Sequence, residues 1–163
     1  MKNSNLTTLI RYAVLIALTT VMTMVIHIPT IGTNGYLNLG DMVVFIAALI
    51  MGRKGGLIVG GVGSAMADLL LGYTHYVPIT LVVKGLEGFI AGSILETKIG
   101  KQKPIIATTI GGIFMAFGYF IPEMFMYGQG AIASIPGNIA QGLLGAVSSV
   151  ILYAALKRTK DFN

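Results

Sequence analysis

The chain has 163 residues, 55% of them hydrophobic and only 10% charged, with 22 glycines and a mean hydropathy of +0.82, which is too apolar for a water-soluble domain of this length. Eleven basic and six acidic residues give a net charge of +5, and the absence of cysteine excludes disulfides and thiolate metal sites.

A membrane helix needs roughly 20 largely apolar residues, and six segments approach this: about 8–28, 40–52, 55–72, 78–97, 104–126 and 132–156. The first follows Lys2 and Arg11 and continues to Ile28 without a small-residue cleavage site, so it reads as a retained helix and not a signal peptide. Ala13 and Ala17 stand four apart on it, and Thr20, Met24 and His27 continue the same face. AxxxA permits close helix packing, and His27 suits either packing or ligand contact.

Between the first two segments, GYLNLGD places Tyr36, Asn38 and Asp41 among glycines at the lip of an apolar run. Asp41 fits two roles, an acid at a helix N-terminus or a group that touches solute. The second segment is short and ends in the basic turn MGRKGG. On the third, Gly56, Gly60, Ser64, Asp68 and Gly72 recur every four residues, a stripe expected to be buried against other helices. GGLIVGGVGSAMAD is no nucleotide loop, since it lacks GK[ST] and does not complete GxGxxG.

In the fourth segment Lys84 and Glu87 share a face three positions apart. Ionisable groups at such depth either pair with one another or line a polar cavity. The fifth segment carries Tyr119, Glu123, Met126 and Tyr127 on one stripe, with Pro122 set to kink it. The sixth opens with IPGNIAQ, whose Asn138 and Gln141 can bond either a neighbouring helix or a solute.

Ten of the eleven basic residues fall before the first segment or at its start, between segments two and three, between four and five, and after six; Lys84 is the exception. The positive-inside rule therefore predicts both termini in the cytoplasm. The net charge records topology and not nucleic-acid binding. Most polar residues then project to the outer half, while the inner half is dry, the pattern of a solute receptor open to the outside. With no linker or internal repeat, residues 1–163 read as one six-helix transmembrane substrate-binding domain.

In this combination and order, AVLIA, NLGD, KGLEGFIAG and PGNIAQ resemble the membrane-embedded S component of an energy-coupling factor (ECF) vitamin transporter, of the hydroxymethylpyrimidine or pyridoxine type. The resemblance implies an all-α membrane protein of six transmembrane helices with a short second helix and both termini cytoplasmic, in the plasma membrane. It implies that Ala13 and Ala17 dock on a transmembrane T subunit, that two cytoplasmic ATPases hydrolyse ATP, and that this chain is no enzyme and carries no cofactor or metal. The binding set it suggests is His27, Tyr36, Asn38, Asp41, Lys84, Glu87, Glu123, Tyr127, Asn138 and Gln141. More carboxylates than cations favour a neutral or weakly basic ring with hydroxyl or amino groups, and pantothenate is the alternative because Lys84 can meet its carboxylate. A stand-alone secondary carrier or channel is the competing class, with Lys84 and Glu87 as an ion relay. An intramembrane enzyme has neither a metal-ligand pattern nor a nucleophile with a base to support it.

Overall fold

The computed structural model describes residues 4–158, so Lys2 and Lys160 lie outside the described part. Helix α1 (Ser4–Val25) leads into two short strands, β1 (His27–Pro29) and β2 (Tyr36–Asn38). There follow α2 (Gly40–Leu71), α3 (Val77–Leu95), the short α4 (Lys98–Gln102), α5 (Pro104–Tyr127), a 3-10 turn (Gly128–Ser134) and α6 (Ile135–Leu156). Four described stretches are long and apolar enough to cross a membrane: Asn5–Val25, Gly40–Leu71, Val77–Leu95 and Pro104–Leu156, the last containing both α5 and α6. The chain is a helical membrane protein, since helices satisfy their own backbone groups where no water reaches.

Within α2 the backbone breaks at Gly52, whose φ of 70° and ψ of −165° are open to glycine and rarely to other residues. The break falls in MGRKGG, where the sequence predicts a turn. Residues 40–51 form a helical length of roughly 18 Å at 1.5 Å per residue, well short of the roughly 30 Å apolar core of a bilayer.

The first helix ends earlier than predicted. Instead of continuing to Ile28, residues 27–29 pair antiparallel with 36–38, His27 opposite Asn38 and Pro29 opposite Tyr36. A β-branched residue flanked by a proline favours extended backbone over another helical turn. The Thr30 amide donates to the Gly35 carbonyl at 3.0 Å and closes the loop.

In the predicted small-residue stripe Gly56, Gly60, Ser64 and Asp68 of α2 are buried, whereas Gly72, the C-cap beyond the helix, is exposed. Gly56 meets Gly88 of α3 backbone to backbone, so that a Cβ on either would collide with the other's main chain, and Gly60 lies over the Lys84 carbonyl. Gly112 and Gly142 do the same for α5 and α6, where a Cβ would come 2.8 Å from the opposing backbone. Close backbone approach of this kind supplies dispersion contacts that lipid cannot. Phe45, Ala48, Ala91 and Ala146 fill the centre. Helix α1 touches the rest through Thr19 and Thr20, the Thr20 hydroxyl standing 2.9 Å from the Gly63 carbonyl. Most of its other side chains, Leu9, Val14 and Val21 among them, are exposed.

Candidate functional site

The end of the bundle opposite the one where α1 begins and α6 finishes holds a narrow polar cavity of about 30 Å³, room for one or two waters with the side chains as they stand. Every long helix and the strand loop contribute: Thr23 from α1, Ser64 and Asp68 from α2, Thr80 and Lys84 from α3, Tyr119 and Glu123 from α5, Asn138 and Gln141 from α6, and Thr30, Gly35, Tyr36 and Asn38 from the loop and β2. Tyr76, just ahead of α3, completes the wall.

One side of the cavity is backed by a cluster of protein hydrogen bonds. The Lys84 ammonium donates to Asp41 and, at 2.9 Å, to Glu87. Gln141 donates its amide to both Asp41 oxygens at 3.1 Å and accepts the Asn38 backbone N–H at 2.7 Å. All four side chains are buried, and Glu87 keeps one oxygen, Oε1, without a partner; burying such charges is tolerable only where they are paired and hydrogen-bonded. Asp41 therefore turns inward and does not cap α2; the Asn38 side chain instead accepts the Gly40 N–H at 2.8 Å. The choice that the sequence left open for Lys84 and Glu87 is also answered: they form an ion pair, with Lys84 on the cavity and Glu87 behind it.

The opposite side is unsaturated. Asp68 accepts the Tyr36 hydroxyl on Oδ1 at 2.5 Å, but its Oδ2 is buried with no hydrogen-bond partner. The hydroxyls of Ser64, one turn before it, and of Thr23 are likewise buried and unpartnered. Buried polar atoms are rarely left unpaired, since each costs about 1–3 kcal/mol. Three of these unpartnered atoms belong to residues that line one cavity, whereas the fourth among the described residues, Glu87 Oε1, does not. At the mouth Glu123 accepts Tyr76 at 2.9 Å and Ser134 at 2.6 Å. Burial, and then the neighbouring carboxylates of Asp68 and Glu123, hold the Tyr36 and Tyr76 phenols well above their ordinary pKa of 10.0. Both stay neutral donors.

A family described as the ECF-type riboflavin transporter S component matches residues 3–158. The chain belongs to this family. It is 31% identical over 165 residues to the thiamine precursor transporter HmpT of Lactococcus lactis subsp. cremoris, covering 100% of this chain and 95% of that protein. A Pyrococcus woesei protein described as uncharacterized, from a gap 3′ region, is 38% identical over 129 residues, 78% of this chain and 86% of that one. S components are transport proteins and not enzymes, and the apolar helices fit a multi-pass protein of the plasma membrane.

In this S component six of the residues singled out in the sequence line the cavity: Tyr36, Asn38, Lys84, Glu123, Asn138 and Gln141. Asp41 and Glu87 stand behind Lys84. Two lie off the cavity. His27 is exposed, its ring edge-on to Tyr36 at 6.0 Å, and Tyr127 meets His75 at 3.3 Å. Ala13 and Ala17 are exposed on α1. The binding set drawn from the sequence omits Thr23, Ser64, Asp68, Tyr76, Thr80 and Tyr119. For Ser64 and Asp68 the signal was present, because an acid within a four-residue small stripe has to face something polar.

Proposed function

We propose that this chain is the substrate-binding subunit of an ECF-type importer, with a vitamin precursor of the hydroxymethylpyrimidine or pyridoxine class as its ligand. The unpartnered Asp68 Oδ2, set beside the equally unpartnered Ser64 and Thr23 hydroxyls, carries this reading. Of the carboxylates, Asp68 and Glu123 line the cavity, while Asp41 and Glu87 stand behind the single ammonium of Lys84 and take up its charge. A ligand rich in N–H and O–H donors complements these acceptors, and an anion such as pantothenate does not. The Lactococcus lactis relative is named as a thiamine precursor transporter, which agrees with a vitamin-precursor ligand.

In this reading Asp68 takes the ring's amino edge, Tyr119 and Tyr76 flank the ring, and Asn138 and the Tyr36 to Asn38 strand close the outer side. Asp41, Glu87 and Gln141 hold Lys84 in place. His27 and Tyr127 support the rim. The break at Gly52 divides α2 into a short helix and a longer one, giving six membrane helices in one domain with both termini cytoplasmic. Ala13 and Ala17 dock on the T subunit, two ATPases supply the energy, and the S component topples to release its cargo inside. Native mass spectrometry of the gently purified protein tests the reading: it predicts a bound aminopyrimidine or pyridine, and a carboxylate-bearing ligand in its place would overturn it. Uptake in vesicles without any ATPase would favour the stand-alone carrier.

A further inference from the structure

At the other end of the bundle a groove of about 530 Å³, open on one side, runs between α1, the first half of α2 and the end of α6. Its walls are Ile10, Val14, Leu15, Leu49 and Ile50, and at its rim stand Arg11, Lys157 and Tyr153. The lining contains no acid. Among the described residues the ion pairs are Arg53 with Glu96 and Lys84 with Asp41 and Glu87, so neither Arg11 nor Lys157 has an anionic partner. Lys157 lies 4.9 Å from the centroid of the Tyr153 ring, a contact that holds the ammonium at the rim.

We propose that this groove is a binding site for one acidic phospholipid. Two unpaired cations at the rim match a phosphate headgroup with net negative charge, and the apolar walls below match acyl chains. Basic pockets between helices at a membrane interface take acidic lipids on these grounds. A zwitterionic lipid would bring its own cation against Arg11 and Lys157, and free phosphate would leave the apolar walls uncovered. At about 100° per residue, Arg11 and Leu15 point away from Ala13 and Ala17 while Ile10 and Val14 stand beside them, so the groove borders the proposed docking face with its cation on the far side. The inference does not depend on which molecule fills the polar cavity.

Native mass spectrometry of the full chain in mild detergent, titrated with phosphatidylglycerol or phosphatidylcholine of matched chains, tests it. The expected result is one phosphatidylglycerol per chain, bound on the order of tenfold more tightly than phosphatidylcholine. The double variant Arg11→Gln/Lys157→Gln should lose that preference, whereas Arg53→Gln/Lys54→Gln at the other basic turn should keep it. If the double variant is not monodisperse, each single variant is measured instead and should lose part of the preference. Equal binding of the two lipids by the unaltered protein would overturn the proposal and leave the groove to a protein partner. An unchanged preference in the variants, or displacement of the lipid by inorganic phosphate, would overturn it as well.

Discussion

Asp68→Asn separates the two sides of the polar cavity. The carboxylate is 3% exposed, with Oδ1 held by the Tyr36 hydroxyl at 2.5 Å and Oδ2 unpartnered. Asparagine keeps a carbonyl oxygen for Tyr36 but puts an NH2 where the free oxygen stood, so a ligand donor would meet a donor. A hydrogen bond to a charged group contributes about 1.5–3 kcal/mol, which converts to a loss of roughly 10- to 150-fold in affinity. The fold should not suffer, because the substitution removes an unpaired buried charge and retains the bond to Tyr36. Calorimetric titration with hydroxymethylpyrimidine and pyridoxine measures the first quantity, and thermal unfolding without ligand measures the second. Unchanged affinity would refute the argument that the unpaired oxygen is a ligand contact; lost affinity together with a lowered melting temperature would make Asp68 structural.

Lys84→Ala leaves Asp41 and Glu87 buried without their cation and should destabilise the protein by about 3–5 kcal/mol, read from denaturant or thermal unfolding in detergent. Gly88→Val drives a side chain into the Gly56 backbone and should sharply reduce the yield of folded protein on size exclusion, whereas Gly85→Ala, whose nearest neighbour is the end of the Leu57 side chain at 3.3 Å, should cost far less. Ala13→Trp or Ala17→Trp should abolish uptake by cells that supply the ATPase module and leave calorimetric binding intact; parallel loss of binding would count against a docking role. The raised Tyr36 and Tyr76 phenols predict an alkaline limit: above their ordinary pKa of 10.0 the unfolded chain releases these protons while the folded chain keeps them, so stability falls as pH rises further. Tyr36→Phe/Tyr76→Phe should flatten that fall in unfolding curves taken between neutral and alkaline pH.

Helices were legible because membrane burial writes them as long apolar runs, and MGRKGG announced the break at Gly52 through glycines and paired basic residues. The strand pair was not, since three residues at the end of an apolar segment carry no period of their own. It forms because 36–38 return to pair with 27–29, a contact between distant positions. Within the site, Lys84 and Glu87 stood out as charges at depth, and i, i+3 spacing brought them together. Their third partner, Asp41, comes from a helix more than forty positions away, so the sequence left it between a cap and a ligand contact. Thr23 and Thr80 resemble any hydroxyl that bonds its own helix. What distinguishes Thr23 is a missing partner, which only three-dimensional placement reveals.

Calorimetric titration of the purified S component against hydroxymethylpyrimidine, pyridoxine, pantothenate and riboflavin tests the central claim most directly. The account predicts tight, saturable binding of one of the first two, with pantothenate and riboflavin far weaker. Tightest binding of pantothenate or riboflavin would contradict it, because the free acceptors of Asp68, Ser64 and Thr23 would then not be what selects the ligand.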